Sequence, residues 1–112
     1  MTDCPFCRIA AGELPAAIVQ RTPEVIAFRD IHPQAPTHIL IVPVKHLASL
    51  DDVQPADVEL IGRLMATAKA IAHDLKLRGY RLVINTGREA GQSVFHLHVH
   101  LLGGRSLHWP PG

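Results

Sequence analysis

The sequence has no excess of charge of one sign: 11 Lys and Arg face 10 Asp and Glu, for a formal net charge of +1. A broad basic face for a nucleic-acid backbone is therefore not expected, although a pocket can hold one phosphate without a global field. Long apolar runs are also missing. None approaches the roughly 18 residues a membrane span needs, and Met1-Thr-Asp-Cys-Pro-Phe-Cys lacks the apolar stretch of a signal peptide. The cytosol is the expected address, with neither membrane nor nucleic acid as partner. Cysteine is scarce, and in a reducing compartment Cys4 and Cys7 are expected as thiols open to metal or redox chemistry. No repeat or low-complexity segment is visible. With 112 residues and 47% hydrophobic content, the chain suits one compact domain over residues 1–112 rather than two.

Histidine, by contrast, is concentrated. Val94 to Leu102 reads Val-Phe-His-Leu-His-Val-His-Leu-Leu, so His96, His98 and His100 recur at intervals of two with Leu97, Val99 and Leu101 between them. A strand turns alternate side chains to opposite faces, which predicts a column of imidazoles on one face and an aliphatic surface on the other. Neighbouring rings in such a column start about 6.6 Å apart. Two of the rings could then chelate a metal, or one could attack a substrate while its neighbours orient it and handle protons.

The remaining chain predicts a scaffold for that stretch. Cys4 to Ala11 reads as a short helix with proline in its first turn, closed by Gly12. Its Cys-x-x-Cys is half of a tetrahedral zinc site, a dithiol pair, or two inert thiols. Ala17 to Arg21 and Val25 to Arg29 form a hairpin around Thr22-Pro23-Glu24, and the prolines of Asp30 to Thr37 mark a loop that Asp30 could cap. His38 to Pro43, almost continuously aliphatic, reads as a central strand covered on both faces. His38 and His46 at its ends are, taken singly, more simply structural than functional. From Pro55 to Lys76 the apolar residues follow helical spacing, with Gly79 as the stop. Tyr80 to Asn85 and Phe95 to Leu102 complete five strands. Between them Thr86 to Ser93 carries Gly87 and Gly91, which let backbone N–H groups approach an anion. The expected fold is α+β: a five-stranded antiparallel sheet, one long helix and a short N-terminal one.

Gly91-Gln92-Ser93-Val94-Phe95-His96-Leu97-His98-Val99-His100-Leu101-Leu102 resembles the signature of the histidine triad family, His-x-His-x-His-x-x with apolar x. The likeness extends through Phe28 to His38, Pro43 to His46, the long helix and the tail His108-Trp109-Pro110-Pro111-Gly112, and it is similar to the Hint branch of nucleotide-binding proteins. That resemblance implies hydrolysis of purine nucleoside 5′-phosphoramidates and aminoacyl-adenylates by a two-fold dimer. His98 would attack the α-phosphorus, His100 would contact the phosphate, and His38 would complete the proton network with His96. Gln92, Ser93 and the Val94 backbone, following Gly91, would hold the phosphate and leaving group, Asn85 the phosphate side and Asp30 the ribose hydroxyls. Phe6, Ile9, Phe28, Ile31 and Leu40 would line the base pocket, unless they are simply core. Trp109 would lie near the partner's pocket. The resemblance further implies a structural zinc on Cys4, Cys7, His46 and His96, and no organic cofactor. Two rivals stay open: a non-catalytic nucleotide-binding module, and a metal-dependent hydrolase in which His96, His98 and His100 chelate the ion.

Overall fold

A computed structural model describes residues 3–112. A short helix α1 (Pro5–Ala10) precedes the hairpin strands β1 (Ile18–Arg21) and β2 (Val25–Arg29) and the central strand β3 (Thr37–Pro43). The long helix α2 (Val58–Asp74) follows, then β4 (Tyr80–Val83) and β5 (Val99–Gly103). The five strands pair antiparallel in the order β1-β2-β3-β5-β4, which puts β3 at the centre as its aliphatic run predicts. The hairpin turns on Thr22, whose hydroxyl accepts from the N–H groups of Glu24 and Val25.

Alternation along the strands divides the core. Ala27, Ile39, Ile41, Leu97, Val99 and Leu101 face α2 and pack with Leu64, Ala68, Ile71 and Ala72. On the opposite face Ile26, Phe28, Leu40 and Val42 pack with Phe6 and Ile9 of α1. The histidines share that second face, because Leu40 pairs with His100 and Phe28 pairs with Leu40 in register. Helix α1 is thus the lid beside them, and α2 is the support behind the sheet.

Both ends of α2 depart from expectation. Both helices stop in a Schellman motif: Glu13 N–H donates to Arg8 and Gly12 N–H to Ile9 in α1, Leu77 N–H to Ala72 and Lys76 N–H to His73 in α2. In α1 the left-handed residue is Gly12, as expected, but in α2 it is Lys76 at φ 56, three residues before Gly79. The α2 start is also later than Pro55, since Pro55–Asp57 forms a 3-10 turn. There the carboxylate of buried Asp57 accepts from Gln54 N–H and pairs with Lys45 Nζ at 2.6 Å, tying the exit of β3 to the helix.

The strands at the site are shorter than the sequence suggests. β4 ends at Val83 rather than Asn85, and β5 begins at Val99 rather than Phe95. The β3–β5 ladder stops at Ile41↔Val99 because the next acceptors are used otherwise: Pro43 C=O accepts from the His96 ring at 2.7 Å, and Leu97 N–H donates to Leu47 C=O at 2.6 Å. His96 and His98 therefore lie on a lead-in to β5 that bends at Val94–His96, with the alternation of faces preserved.

Candidate active site and metal centre

The partners of each imidazole fix its tautomer, because a neutral ring has one donor and one acceptor nitrogen. His98 Nδ1 lies 2.7 Å from the main-chain oxygen of His96, an acceptor only, so Nδ1 carries the proton and donates. The Nε2 lone pair is left without a hydrogen bond from the described residues. His98 is 8% exposed and stands edge-on to Phe6, with ring centroids 5.1 Å apart. Its pKa is lowered, chiefly by burial, which keeps it neutral and nucleophilic.

A second chain of bonds starts in the loop before β3. Gln34 N–H donates to His38 Nδ1 at 3.0 Å, so the proton of His38 sits on Nε2. That nitrogen is 2.9 Å from His100 Nδ1 and 3.4 Å from Asp30 Oδ2. His100 must accept at Nδ1 and carry its own proton on Nε2. That Nε2 is buried without a hydrogen-bond partner among the described residues, leaving a fixed donor for a ligand oxygen. The His98 and His100 rings are 4.9 Å apart, so the Nε2 lone pair of one and the Nε2–H of the other belong to neighbouring rings. Burial first, then the neighbouring His98 and His38, lowers His100 to a pKa of about 4.

His96 faces the other way. Its Nε2 donates to Pro43 C=O, so the Nδ1 lone pair points at a separate cluster: 3.3 Å to Cys4 Sγ, 3.4 Å to Cys7 Sγ and 3.1 Å to His46 Nδ1. Cys7 Sγ is also 3.3 Å from His46 Nδ1. The helix that carries the cysteines is built for this approach, with Cys4 as N-cap, its sulfur accepting from Cys7 N–H, and Pro5 in the first turn. Zinc with sulfur at about 2.3 Å and nitrogen at about 2.0 Å needs sulfur–nitrogen edges of about 3.5 Å and a nitrogen–nitrogen edge of about 3.3 Å. The four edges above match those lengths to within a few tenths of an ångström, all four donor atoms lie within 4.8 Å of one another, and two sulfurs with two imidazoles are the donor set of a closed structural site.

The metal-hydrolase arrangement does not form. Among the described residues, the groups whose donor atoms converge are Cys4, Cys7, His46 and His96, and Asp30, His38 and His100; neither includes His98. The triad rings occupy one face but aim their nitrogens at three different partners.

The other expected site residues distribute unevenly. Asp30 is brought to His38, and its Oδ1 accepts from His32 N–H to hold the loop. Phe6, Ile9, Phe28 and Leu40 are buried as a mutual cluster on which Val94 packs, so their core reading is realised beneath the histidines. Ile31 is 85% exposed next to Asp30. Gln92, expected at the phosphate, is instead spent on the backbone: it accepts from Gly87 N–H and donates to Ala48 C=O and Val94 C=O. Its amide braces the glycine loop, in which Gly87 and Gly91 have φ of 87° and 96°. Ser93 is exposed and Asn85 half-buried just past β4. Trp109 is 81% exposed, on a tail that Arg81 holds through His108 C=O. Sequence reasoning misses the Gln34 N–H and the carbonyls of Pro43 and His96, because main-chain groups leave no mark in residue type.

An antiparallel α+β domain with three alternating histidines on one face, two of them beside His38 and Asp30 and the third beside a cysteine-histidine cluster, has the architecture of a histidine triad protein. The chain belongs to the HIT domain family, whose model matches residues 11–107. It is 50% identical over 117 residues to the 14 kDa zinc-binding protein of Zea mays, covering 100% of this chain and 91% of that one. A HIT family hydrolase from Legionella pneumophila superposes with a TM-score of 0.95 at 51% identity, covering 98% of this chain and 100% of that chain. A Zn-bound histidine triad family protein from Mycobacterium smegmatis is more distant, with a TM-score of 0.82, 31% identity, and coverage of 92% and 76% of the two chains.

Buried neutral histidines make stability depend on pH. Burial lowers the pKa of both His38 and His100, whereas the unfolded chain titrates near 6.5. Between those values the unfolded state binds protons that the folded state refuses, so stability is intact above about pH 6.5 and is lost as pH falls toward about 4. Denaturant unfolding at pH 7 and pH 4.5 should differ by about 1–3 kcal/mol. His100→Gln should lose less over the same interval. An equal loss in that variant would place the dependence elsewhere.

Proposed function

We propose that this protein hydrolyses purine nucleoside 5′-phosphoramidates and aminoacyl-adenylates through a nucleotidyl-histidine intermediate, as a Hint-type member of its family. The observation that carries this reading is the His98 tautomer: Nδ1–H is committed to the His96 carbonyl, and the Nε2 lone pair is left for phosphorus. Attack by Nε2 forms the N–P bond and breaks either the P–N bond of a phosphoramidate, whose amine takes a proton from water as it leaves, or the P–O bond of an aminoacyl-adenylate, whose carboxylate leaves without one. Water then cleaves the N–P bond and returns the free imidazole. His100 Nε2–H is placed to donate to a non-bridging oxygen as charge develops there. Asp30 offers a carboxylate for the ribose hydroxyls, and exposed Ile31 beside it is the apolar side chain available to a purine ring. The HIT family hydrolase from Legionella pneumophila supports hydrolysis as the reaction class.

His98→Ala should abolish turnover of a purine nucleoside phosphoramidate while AMP affinity stays within about tenfold, since the loss is of a covalent path rather than ground-state contacts. Wild-type-like turnover in that variant would overturn the mechanism. AMP binding by a wild-type protein without turnover would leave the non-catalytic nucleotide module.

Cys4, Cys7, His46 and His96 would hold one zinc, a reading supported by the edge lengths of the cluster and by the zinc named in two relatives. When bound, the ion supplies structure, because protein fills all four positions. It would join α1 to the lead-in of the catalytic strand across more than 80 residues of chain, the separation of Cys7 and His96 being 89. Metal analysis should find about one zinc per chain in the wild type and about none in Cys4→Ser/Cys7→Ser, whose unfolding midpoint should also fall. Metal-free wild type with the same midpoint as the variant would leave the cysteines as packing.

The active form is proposed to be a cytosolic homodimer in which α2 and the tail meet the partner, with exposed Trp109 near its leaving-group side. Sedimentation should show a dimer at micromolar concentration, and deletion from residue 106 onward should alter the preference among amine leaving groups. A monomer, or an unchanged preference, would refute the corresponding half of this reading.

A further inference from the structure

We infer that Arg105 is a positioning residue for the histidine pair, acting through the main chain of Gln34 on the tautomer of His38 and, through it, on His100. This rests on the phosphoramidate reading only for its effect on rate. Arg105 is exposed, beyond the last strand, and 71 residues from Gln34 in sequence. Its Nη2 nevertheless donates to Gln34 C=O at 2.9 Å, and its Nη1 to Ser106 C=O at 2.9 Å, so the guanidinium bridges the turn after β5 and the loop before β3. The same residue, Gln34, sends its N–H to His38 Nδ1. One side of Gln34 is thus held by a permanent cation, and the other chooses which nitrogen of His38 carries the proton.

A second observation makes the approach specific. Gly104 has φ 93, and a Cβ there would stand 2.9 Å from Pro36 Cβ and 3.4 Å from Thr37 N. The turn and the loop touch at a distance only glycine permits, which sets Arg105 over Gln34. The other contacts of the loop among the described residues are Asp30 Oδ1 accepting from His32 N–H, Gln34 Nε2 donating to His32 C=O, Asp30 N–H donating to His38 C=O, Asp30 Oδ2 at 3.4 Å from His38 Nε2, and the buried Ala35, and of these only the Asp30 Oδ2 contact bears on the His38 ring. If Gln34 rotates, its N–H leaves Nδ1, and only the longer contact to Asp30 Oδ2, 3.4 Å from Nε2, still favours the proton on Nε2, so His38 can populate both tautomers, including the one with its proton on Nδ1. His38 Nε2 then presents a lone pair to His100 Nδ1, and His100 can keep that 2.9 Å bond only by moving its own proton to Nδ1. The His100 Nε2 that should donate to a phosphoryl oxygen would then face it with a lone pair.

Two measurements test this. The first is long-range nitrogen–proton NMR of the imidazoles in the ligand-free protein, which reports tautomers without any substrate. The second is kcat and KM with a purine nucleoside phosphoramidate. Wild type should show His38 and His100 as Nε2–H tautomers. Arg105→Ala should show a tautomer mixture at His38, kcat lower by about three- to tenfold, and KM within about twofold. Its melting temperature should stay within about 2 °C of wild type. Arg105→Lys, which keeps the charge and a donor, should recover at least about half of the lost kcat. A pure Nε2–H His38 in Arg105→Ala overturns the inference, whether activity is retained, reduced through KM alone, or reduced through loss of stability. A wild type without turnover would sink the phosphoramidate reading, while the NMR comparison would still decide on Arg105.

Discussion

Each catalytic-face imidazole is buried where a charge is costly, so each must be neutral, and a neutral ring is useful only if its single proton is on the correct nitrogen. The bond from His98 Nδ1 to the His96 carbonyl meets that requirement for the nucleophile. It is formed two residues back along the same chain, so it depends on the local backbone of the lead-in rather than on a distant side chain. The lead-in in turn is held in place by backbone-directed bonds, the His96 ring to Pro43 and Leu97 N–H to Leu47. Leu97, Val99 and Leu101, sunk against α2, supply the apolar burial that keeps the strand there.

His96 belongs to two sites at once. Its carbonyl orients His98, its Nε2–H anchors to β3, and its Nδ1 faces the two sulfurs and His46. A metal held there by all four protein ligands would stiffen the residue whose carbonyl holds His98 and would offer no open position to a substrate. The division follows from the two ends of one imidazole: with Nε2 committed to a carbonyl, only Nδ1 is left to ligate, and it points toward α1. Phe6 fills the space between, edge-on to His98 at 5.1 Å and to His96 at 6.0 Å, so the helix that brings the cysteines also walls the nucleophile from water.

The strict alternation at 96, 98 and 100 was enough to assign faces, and the aliphatic run of β3 was enough to place it centrally, because both depend on side chains that partition between water and core. Where those strands stop was not legible. The end of the β3–β5 ladder is decided by which donors reach the Pro43 and Leu47 carbonyls, and the end of α2 by Lys76 entering a left-handed conformation that residue type disfavours. Gln92 shows the same gap in the site. A polar residue between glycines and a histidine run reads as a ligand group, but the loop left backbone groups of Gly87, Ala48 and Val94 to satisfy, and its amide meets all three.

Spacing alone allowed both nucleophile and chelate as uses of the triad, and ring direction bears on which of them the structure supports. Side chains two apart on a strand share a face, yet an imidazole offers nitrogens along two different directions, and which one is available is set by what holds the other. His96 is held at Nε2, His98 at Nδ1, and His100 at Nδ1 by a third histidine from β3. With those commitments the free nitrogens are Nδ1, Nε2 and Nε2, the first turned to the cysteines and the other two left without a hydrogen bond among the described residues. A chelate of all three would require at least one of those bonds to break and its ring to turn inside a packed face, whereas attack by His98 beside the His100 donor requires none.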